Sequence, residues 1–149
     1  MARVDIAAVV ADVVRALAYD LEEEELTLRN NITQTFIQAD EQMLRQMIFN
    51  LTLNAVQAVE PGGEITLNLR KENGHGYSFE ISDNGPGVAA EHREEIFKPY
   101  FTTHQKGTGL GLSVVQQIVS AHGWDIALLA NPPRGATFRI SRLRPDQHG

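Results

Sequence analysis

IFKPYFTTHQKGTGLGL, Ile96 to Leu112, changes character in its middle in a way that ordinary loops do not. Its first part is aromatic and apolar, with Phe97, Tyr100 and Phe101; its last part alternates Gly107, Gly109 and Gly111 with Thr108, Leu110 and Leu112. Glycine reaches backbone conformations closed to other residues and lets a ligand come close to the main chain. The residues that follow, Ser113 to His122, read as a helix, so the glycines lead free N–H groups to a helix start, where an anion binds well. The stretch is therefore expected to close over the phosphates of a nucleotide. It is neither of the two better-known phosphate loops. One of these needs G-x-x-x-x-G-K-S/T and the other G-x-G-x-x-G after an early strand, whereas here G-x-G-x-G precedes a helix late in the chain.

Upstream, Asp5 is placed to cap a helix over Ile6 to Glu24, with Ile6, Val9, Val10, Val13, Val14 and Leu17 forming its apolar stripe. The run Glu22 to Glu25 reads as a solvated helix end. Leu26 to Arg29 and Thr35 to Gln38 read as strands with a turn at Asn30-Asn31. A long helix, Glu41 to Val59, starts after Asp40 and carries Leu44, Met47 or Ile48, Leu51 and Ala55 on one face; Glu60-Pro61-Gly62-Gly63 breaks it. Ile65, Leu67 and Leu69, then Tyr77, Phe79 and Ile81, alternate with polar residues and form an antiparallel hairpin turning at Glu72 to Gly76. A short helix is expected near Ala89 to Ile96. Two strands, Asp125 to Leu129 and Ala136 to Arg142, follow the last helix, and the polar end from Arg144 reads as loose. One-faced strands with amphipathic helices give an α+β fold: a two-layer α/β sandwich with helices on one side of a mostly antiparallel, mixed sheet.

A chain of 149 residues, 42% of them hydrophobic, is expected to make one domain over 1–149. A formal charge of −6 argues against a nucleic-acid partner. Without cysteine there is neither a disulfide framework nor a thiolate metal site. No apolar run approaches a membrane span, so no direct membrane contact and a cytoplasmic location are expected.

Three groups carry candidate chemistry. Asn50 and Asn54 lie four apart on the long helix, so both carboxamides run along one edge of it. As oxygen donors they suit Mg²⁺, a hard cation that shares its coordination with substrate phosphates; two amides satisfying local hydrogen bonds would account for the pair equally well. Asp83, in Asp83-Asn84-Gly85-Pro86-Gly87, ends a buried strand. Its carboxylate can accept from an exocyclic amine such as that of adenine, or simply cap a turn. The third group is the glycine stretch itself.

Taken in order, FNLTLNAVQAV (Phe49 to Val59), DNGPG (Asp83 to Gly87), IFKPYFTT (Ile96 to Thr103) and GTGLGL (Gly107 to Leu112) resemble the asparagine, first glycine, phenylalanine and second glycine boxes of the catalytic ATP-binding domain of sensor histidine kinases. Those kinases share the Bergerat ATP-binding fold with gyrase B, MutL and a heat-shock chaperone. The resemblance spans about Asp5 to Leu143. It implies that Asp83 hydrogen-bonds adenine, with Thr137 assisting and Gly85 and Gly87 shaping the wall. Asn50 and Asn54 would face Mg²⁺ and the phosphates of ATP, either one being the metal ligand. Gly107, Thr108, Gly109, Leu110, Gly111 and Leu112 would offer N–H groups to the phosphates beside Thr102 and Thr103, with Phe97 and Phe101 anchoring the lid. Two positions depart from the pattern. His104 stands where relatives often have Lys, leaving His104 or Lys106 for the γ-phosphate contact. Trp124 replaces the second Gly of the usual HGG after the last helix, where it is expected to pack.

The implied reaction is transfer of the γ-phosphate to a histidine on a separate dimerisation and phosphoacceptor domain, with a response regulator downstream. None of His75, His92, His104, His122 and His148 has the following pattern of an acceptor. The alternatives are an ATP hydrolase of the gyrase or MutL kind and a nucleotide-sensing module. Hydrolases of this superfamily carry a Glu base where this chain has Asn50, and a carboxamide cannot take up a proton at neutral pH.

Overall fold

The computed structural model describes residues 1–74, 76–87 and 111–146. The chain begins with strand β1 (Ala2–Asp5), whose last residue caps helix α1 (Ile6–Ala16). Asp5 Oδ1 accepts from the main-chain N–H of both Ala7 and Thr35, each at 3.1 Å, so one carboxylate starts the helix and holds the loop before β3. Ile6, Val9, Val10 and Val13 are buried at helical spacing. The expected single helix to Glu24 is two: the backbone leaves helical geometry at Leu17 (φ −100°, ψ 6°), and α2 (Ala18–Glu23) follows with Leu21 as its buried residue. Leu17 is itself buried, at 2% exposure, so the break interrupts the helical geometry without taking the apolar stripe out of the core.

Strands β2 (Thr27–Asn30) and β3 (Phe36–Ala39) do not form the expected pair around Asn30-Asn31. β2 runs parallel to β4, and β3 runs antiparallel to β1 in a separate two-stranded sheet. The physical reason lies in β1: its Val4 is buried, and pairing with β3 sets Val4 opposite the fully buried Ile37. The tail is also not loose along its whole length. Gln38 N donates to Arg144 O at 3.0 Å and Asp146 N to Phe36 O at 2.9 Å, so residues 144–146 cover the other edge of β3.

Helix α3 (Glu41–Ala58) buries Leu44, Met47, Ile48, Leu51, Thr52, Ala55 and Val56. It lies with α1 and α4 (Gly111–His122) against one face of a five-stranded sheet ordered β2-β4-β5-β7-β6. The hairpin of β4 (Glu64–Lys71) and β5 (Tyr77–Asp83) forms as the alternation requires, and β6 (Asp125–Ala130) and β7 (Ala136–Leu143) complete the sheet. Register sets Leu67, Ile81, Phe138 and Leu128 in one row across four strands and Leu69, Phe79, Ile140 and Ile126 in the next, both facing the helices. The opposite face is polar. Glu80, only 5% exposed, is held there by Arg70 from β4 and Arg139 from β7, each at 2.7 Å. A carboxylate so far from water costs several kcal/mol unless paired, and two guanidinium groups meet that cost. Between α1 and α3, Arg45 hydrogen-bonds Asp12 at 2.8 Å and holds its carboxyl below the usual carboxylate range. Among the described residues no helix is long and apolar enough to cross a membrane.

Because Asp5 serves two N–H groups at once, Asp5→Ala is expected to cost about 1–2 kcal/mol, read as a lower midpoint in urea unfolding at unchanged slope.

Candidate functional site

The strand β5 ends on Asp83, whose side chain is buried. Oδ1 accepts from Gly85 N at 2.9 Å and lies 3.4 Å from Ala136 N, so the carboxyl group is oriented by main chain from two directions. The carbonyl of the same residue accepts from Asn131 Nδ2 at 2.7 Å. Asn84 Oδ1 accepts from Glu64 N at 2.9 Å, which fastens the turn to the start of β4. Around this carboxylate the walls are nearly bare backbone. At Gly85 a Cβ would stand 2.8 Å from the Ala58 carbonyl oxygen, and at Gly87, with φ +80°, one would stand 3.1 Å from the Gly135 oxygen. Both glycines of the Asp83-to-Gly87 motif are therefore required by close approach of backbone to backbone.

Asn50, Asn54 and Ala58 follow one another at spacings of four along a single edge of α3, ending where Ala58 meets Gly85. Both carboxamides are half-buried. Asn50 Nδ2 donates to Gly111 O at 3.4 Å, tying this edge to the first residue of α4. An amide that donates through nitrogen keeps its oxygen as an acceptor, and among the described residues the Asn54 carboxamide has no hydrogen-bond partner. The end of β5, the edge of α3 and the start of α4 thus line one side of the domain. The donor set fits Mg²⁺: the two carboxamide oxygens are hard ligands, and no group of three or more His, Asp or Glu side chains gathers among the described residues, so the remaining positions would fall to a ligand's own oxygens and water.

Of the other residues named from the sequence, Gly111 and Leu112 open α4, Gly111 with open space where a Cβ would be and Leu112 packed against the core. Thr137 sits elsewhere than beside the Asp83 carboxyl. It is the register partner of Ser82, their hydroxyl oxygens are 2.8 Å apart, and strand alternation puts both on the face opposite Ile81 and Phe138. Thr102, Thr103, Lys106, Gly107, Thr108, Gly109 and Leu110 lie outside the described residues, as do Phe97, Phe101, His104, His75, His92, His148 and the expected helix near Ala89 to Ile96.

Sequence reasoning missed two residues of the Asp83 wall. Gly135 has φ +120°, and a Cβ there would run into the Asp83 carbonyl; Asn131 supplies the hydrogen bond to that carbonyl. The available signal was the Asn-Pro-Pro-Arg-Gly turn itself, which marks a tight connection but not the strand it presses against.

Residues 39–147 match the family of histidine kinase-, DNA gyrase B- and HSP90-like ATPases. The chain belongs to this family. Within it, the chain is 38% identical over 139 residues to the sensor histidine kinase ZraS of Escherichia coli K12, covering 92% of this chain and 30% of that protein. It is 39% identical over 104 residues to the signal transduction histidine-protein kinase AtoS of the same organism, covering 70% of this chain and 17% of AtoS. The chain therefore spans less than a third of the length of these curated relatives. Among solved structures, the mycobacterial sensor histidine kinase MprB superposes with a TM-score of 0.87 at 25% identity, over 97% of this chain and 99% of that one. Full-length ShkA in complex with AMPPNP superposes at 0.83 and 29% identity, over 97% of this chain and 31% of that one. These named relatives are sensor histidine kinases.

The Asp83 wall yields a paired prediction. Gly135→Ala puts a side chain into a region of backbone space open essentially to glycine and against a carbonyl, so it is expected to lose at least ~2 kcal/mol of stability. Gly111→Ala, with room for its methyl group, is expected to leave the thermal midpoint unchanged or slightly raised. Equal losses in calorimetric melts of the two variants would contradict this account of the wall.

Proposed function

We propose that the chain is a single catalytic ATP-binding domain. It would bind Mg²⁺-ATP and donate the γ-phosphate to a histidine on a separate dimerisation and phosphoacceptor domain, carried by the same longer protein or supplied in trans, for onward passage to a response regulator. The observation that carries the reading is Asp83: a buried carboxylate at a strand end, oriented by Gly85 N and framed by glycines whose close approach builds the surrounding wall from backbone. A carboxylate accepts, and a purine with an exocyclic amine donates, so the pocket selects adenine. The AMPPNP complex of ShkA supports an adenine nucleotide as the ligand class.

Asn50 and Asn54 would hold the metal through their oxygens, either alone or together, and bound Mg²⁺ supplies charge neutralisation for the phosphates. The start of α4 at Gly111 and Leu112 offers the N–H groups of a helix start and the positive end of a helix dipole toward the same charge. By sequence, Gly107, Thr108, Gly109 and Leu110 extend that donor row, Thr102 and Thr103 flank it, and Lys106 provides a cation for the γ-phosphate. Phosphoryl transfer asks for alignment and charge stabilisation rather than covalent chemistry from the protein, so a domain with these parts needs only an acceptor. Asn50 decides between transfer and hydrolysis. It cannot deprotonate water, so a nucleophile that brings its own basicity, an imidazole nitrogen, is the suitable acceptor. The domain would act in the cytoplasm, with any membrane anchor elsewhere in a longer protein.

Calorimetric titration tests the adenine contact. Asp83→Asn reverses part of the hydrogen-bonding pattern and is expected to weaken ADP binding by ten-fold or more, in line with about 1.5–3 kcal/mol for a hydrogen bond to a charged group; unchanged affinity would remove Asp83 from the adenine site. Asn54→Ala should flatten the dependence of ATP affinity on Mg²⁺ concentration while ADP binding without metal stays near the parent value. Transfer itself is tested by mixing the domain with a phosphoacceptor domain from a relative and radiolabelled ATP, where acid-labile, base-stable label on the acceptor is the expected product.

A further inference from the structure

The N-terminus of α3 lacks half of a reciprocal cap. Asp40 accepts from Met43 N at 2.9 Å through its side chain. The usual return contact, a Glu or Gln at the third helical position accepting from the cap residue's own N–H, is not available because that position is Met43. The acceptor comes instead from the far end of another helix. His122, the last residue of α4, places Nε2 3.0 Å from Asp40 N and Nδ1 2.8 Å from the Ile118 carbonyl oxygen. These two contacts select one tautomer: Nδ1–H donates to Ile118 and Nε2 accepts from Asp40. The imidazole is also held in plane, since Trp124 stacks on it with centroids 4.0 Å apart at 25° and is itself buried. Trp124 is thus where the expected packing role acquires an object.

At its other end, α4 begins with Gly111, whose carbonyl receives Asn50 Nδ2 at 3.4 Å. Helix α4 is thus tied at both of its ends to α3, at the cap and the middle of that helix, by contacts roughly 16 Å apart along α4. A helix is stiff along its axis, so slack at one tie changes alignment at the other.

We propose that His122 is a positioning residue for the nucleotide site: by completing the Asp40 cap it fixes the placement of α4 along α3, and so sets where the N–H groups at the start of α4 stand relative to Asn50 and Asn54. This rests on the nucleotide reading above. It assigns a function in ligand alignment to a side chain at the opposite end of α4 from Gly111.

The test is calorimetric titration of Mg²⁺-ATP into the chain and its variants, at a temperature where circular dichroism finds each folded. His122→Phe keeps a ring on Trp124 but removes both nitrogens, and is expected to weaken binding on the order of three- to ten-fold. His122→Gln returns an acceptor near the Nε2 position and is expected to recover most of the loss. A role confined to stability would lower the urea midpoints of the variants and leave the affinity of the folded protein unchanged; that result overturns the proposal. If His122→Phe fails to fold, His122→Asn, which reaches the Nδ1 contact but not the Asp40 N–H, replaces it, and equal affinity of the Asn and Gln variants overturns the proposal. A parent chain that binds no nucleotide overturns the nucleotide reading itself, and the inference with it, whereas a binding parent and an equally tight His122→Phe overturn the inference alone.

Discussion

Packing of the Leu44, Met47, Ile48, Leu51 and Ala55 face of α3 against the inner rows of the sheet is the contact on which the rest of the molecule depends. That face contributes fully buried side chains to the core it shares with Leu67, Phe79, Ile81 and Ile140. At roughly 1.5–3 kcal/mol for each large apolar side chain taken out of water, no polar contact in the domain approaches its sum. Once the face is committed, the rotation of α3 about its own axis is fixed, and so is the direction of its polar edge. Asn50 and Asn54 point where they do because Leu51 and Ala55, one residue further along, point into the core. Function at that edge is therefore specified by hydrophobic burial, and any repacking that turned the helix would move both carboxamides together.

A second constraint operates at the end of β5. A carboxylate that is nearly out of water needs donors, and it receives them from main-chain N–H groups of two separate loops. Backbone donors are attached to the fold rather than to rotamers, so the orientation of Asp83 is set before any ligand arrives. The loops can approach only because glycines stand at 85, 87 and 135. Order at the carboxylate is obtained by giving up side chains around it.

How much of this was legible in the sequence depended on whether the information was local. The cap at Asp5, the hairpin turn between β4 and β5 and the breaker after α3 are all local signals, and each sits within a residue or so of its expected place. The pairing of β2 and β3 was misread because a short link between two strands favours a hairpin, while the partners that win, β4 and β1, are chosen by burial elsewhere in the chain. The break at Leu17 was invisible to a periodicity that both helices satisfy. The placement of Asn50 and Asn54 along one edge of α3 and of Asp83 at a strand end was readable from spacing. The roles of Asn131 and Gly135 were not readable, since their significance is a contact across a sequence separation of 48 between Asn131 and Asp83. Thr137 shows the converse: a motif position named its neighbourhood, but strand alternation turned its hydroxyl to Ser82.

The short strand β3 has a mechanical consequence. β1 and residues 144–146 flank it on opposite sides, both antiparallel to it, with Ala2 level with Ala39 at one end and Asp146 level with Phe36 at the other. A pull on Ala2 against a pull on Asp146 would load these hydrogen bonds in shear, all at once, rather than unzipping them singly. Force entering through both ends would be taken by this small clasp, and the five-stranded sheet that carries Asp83 would be spared it until the clasp failed.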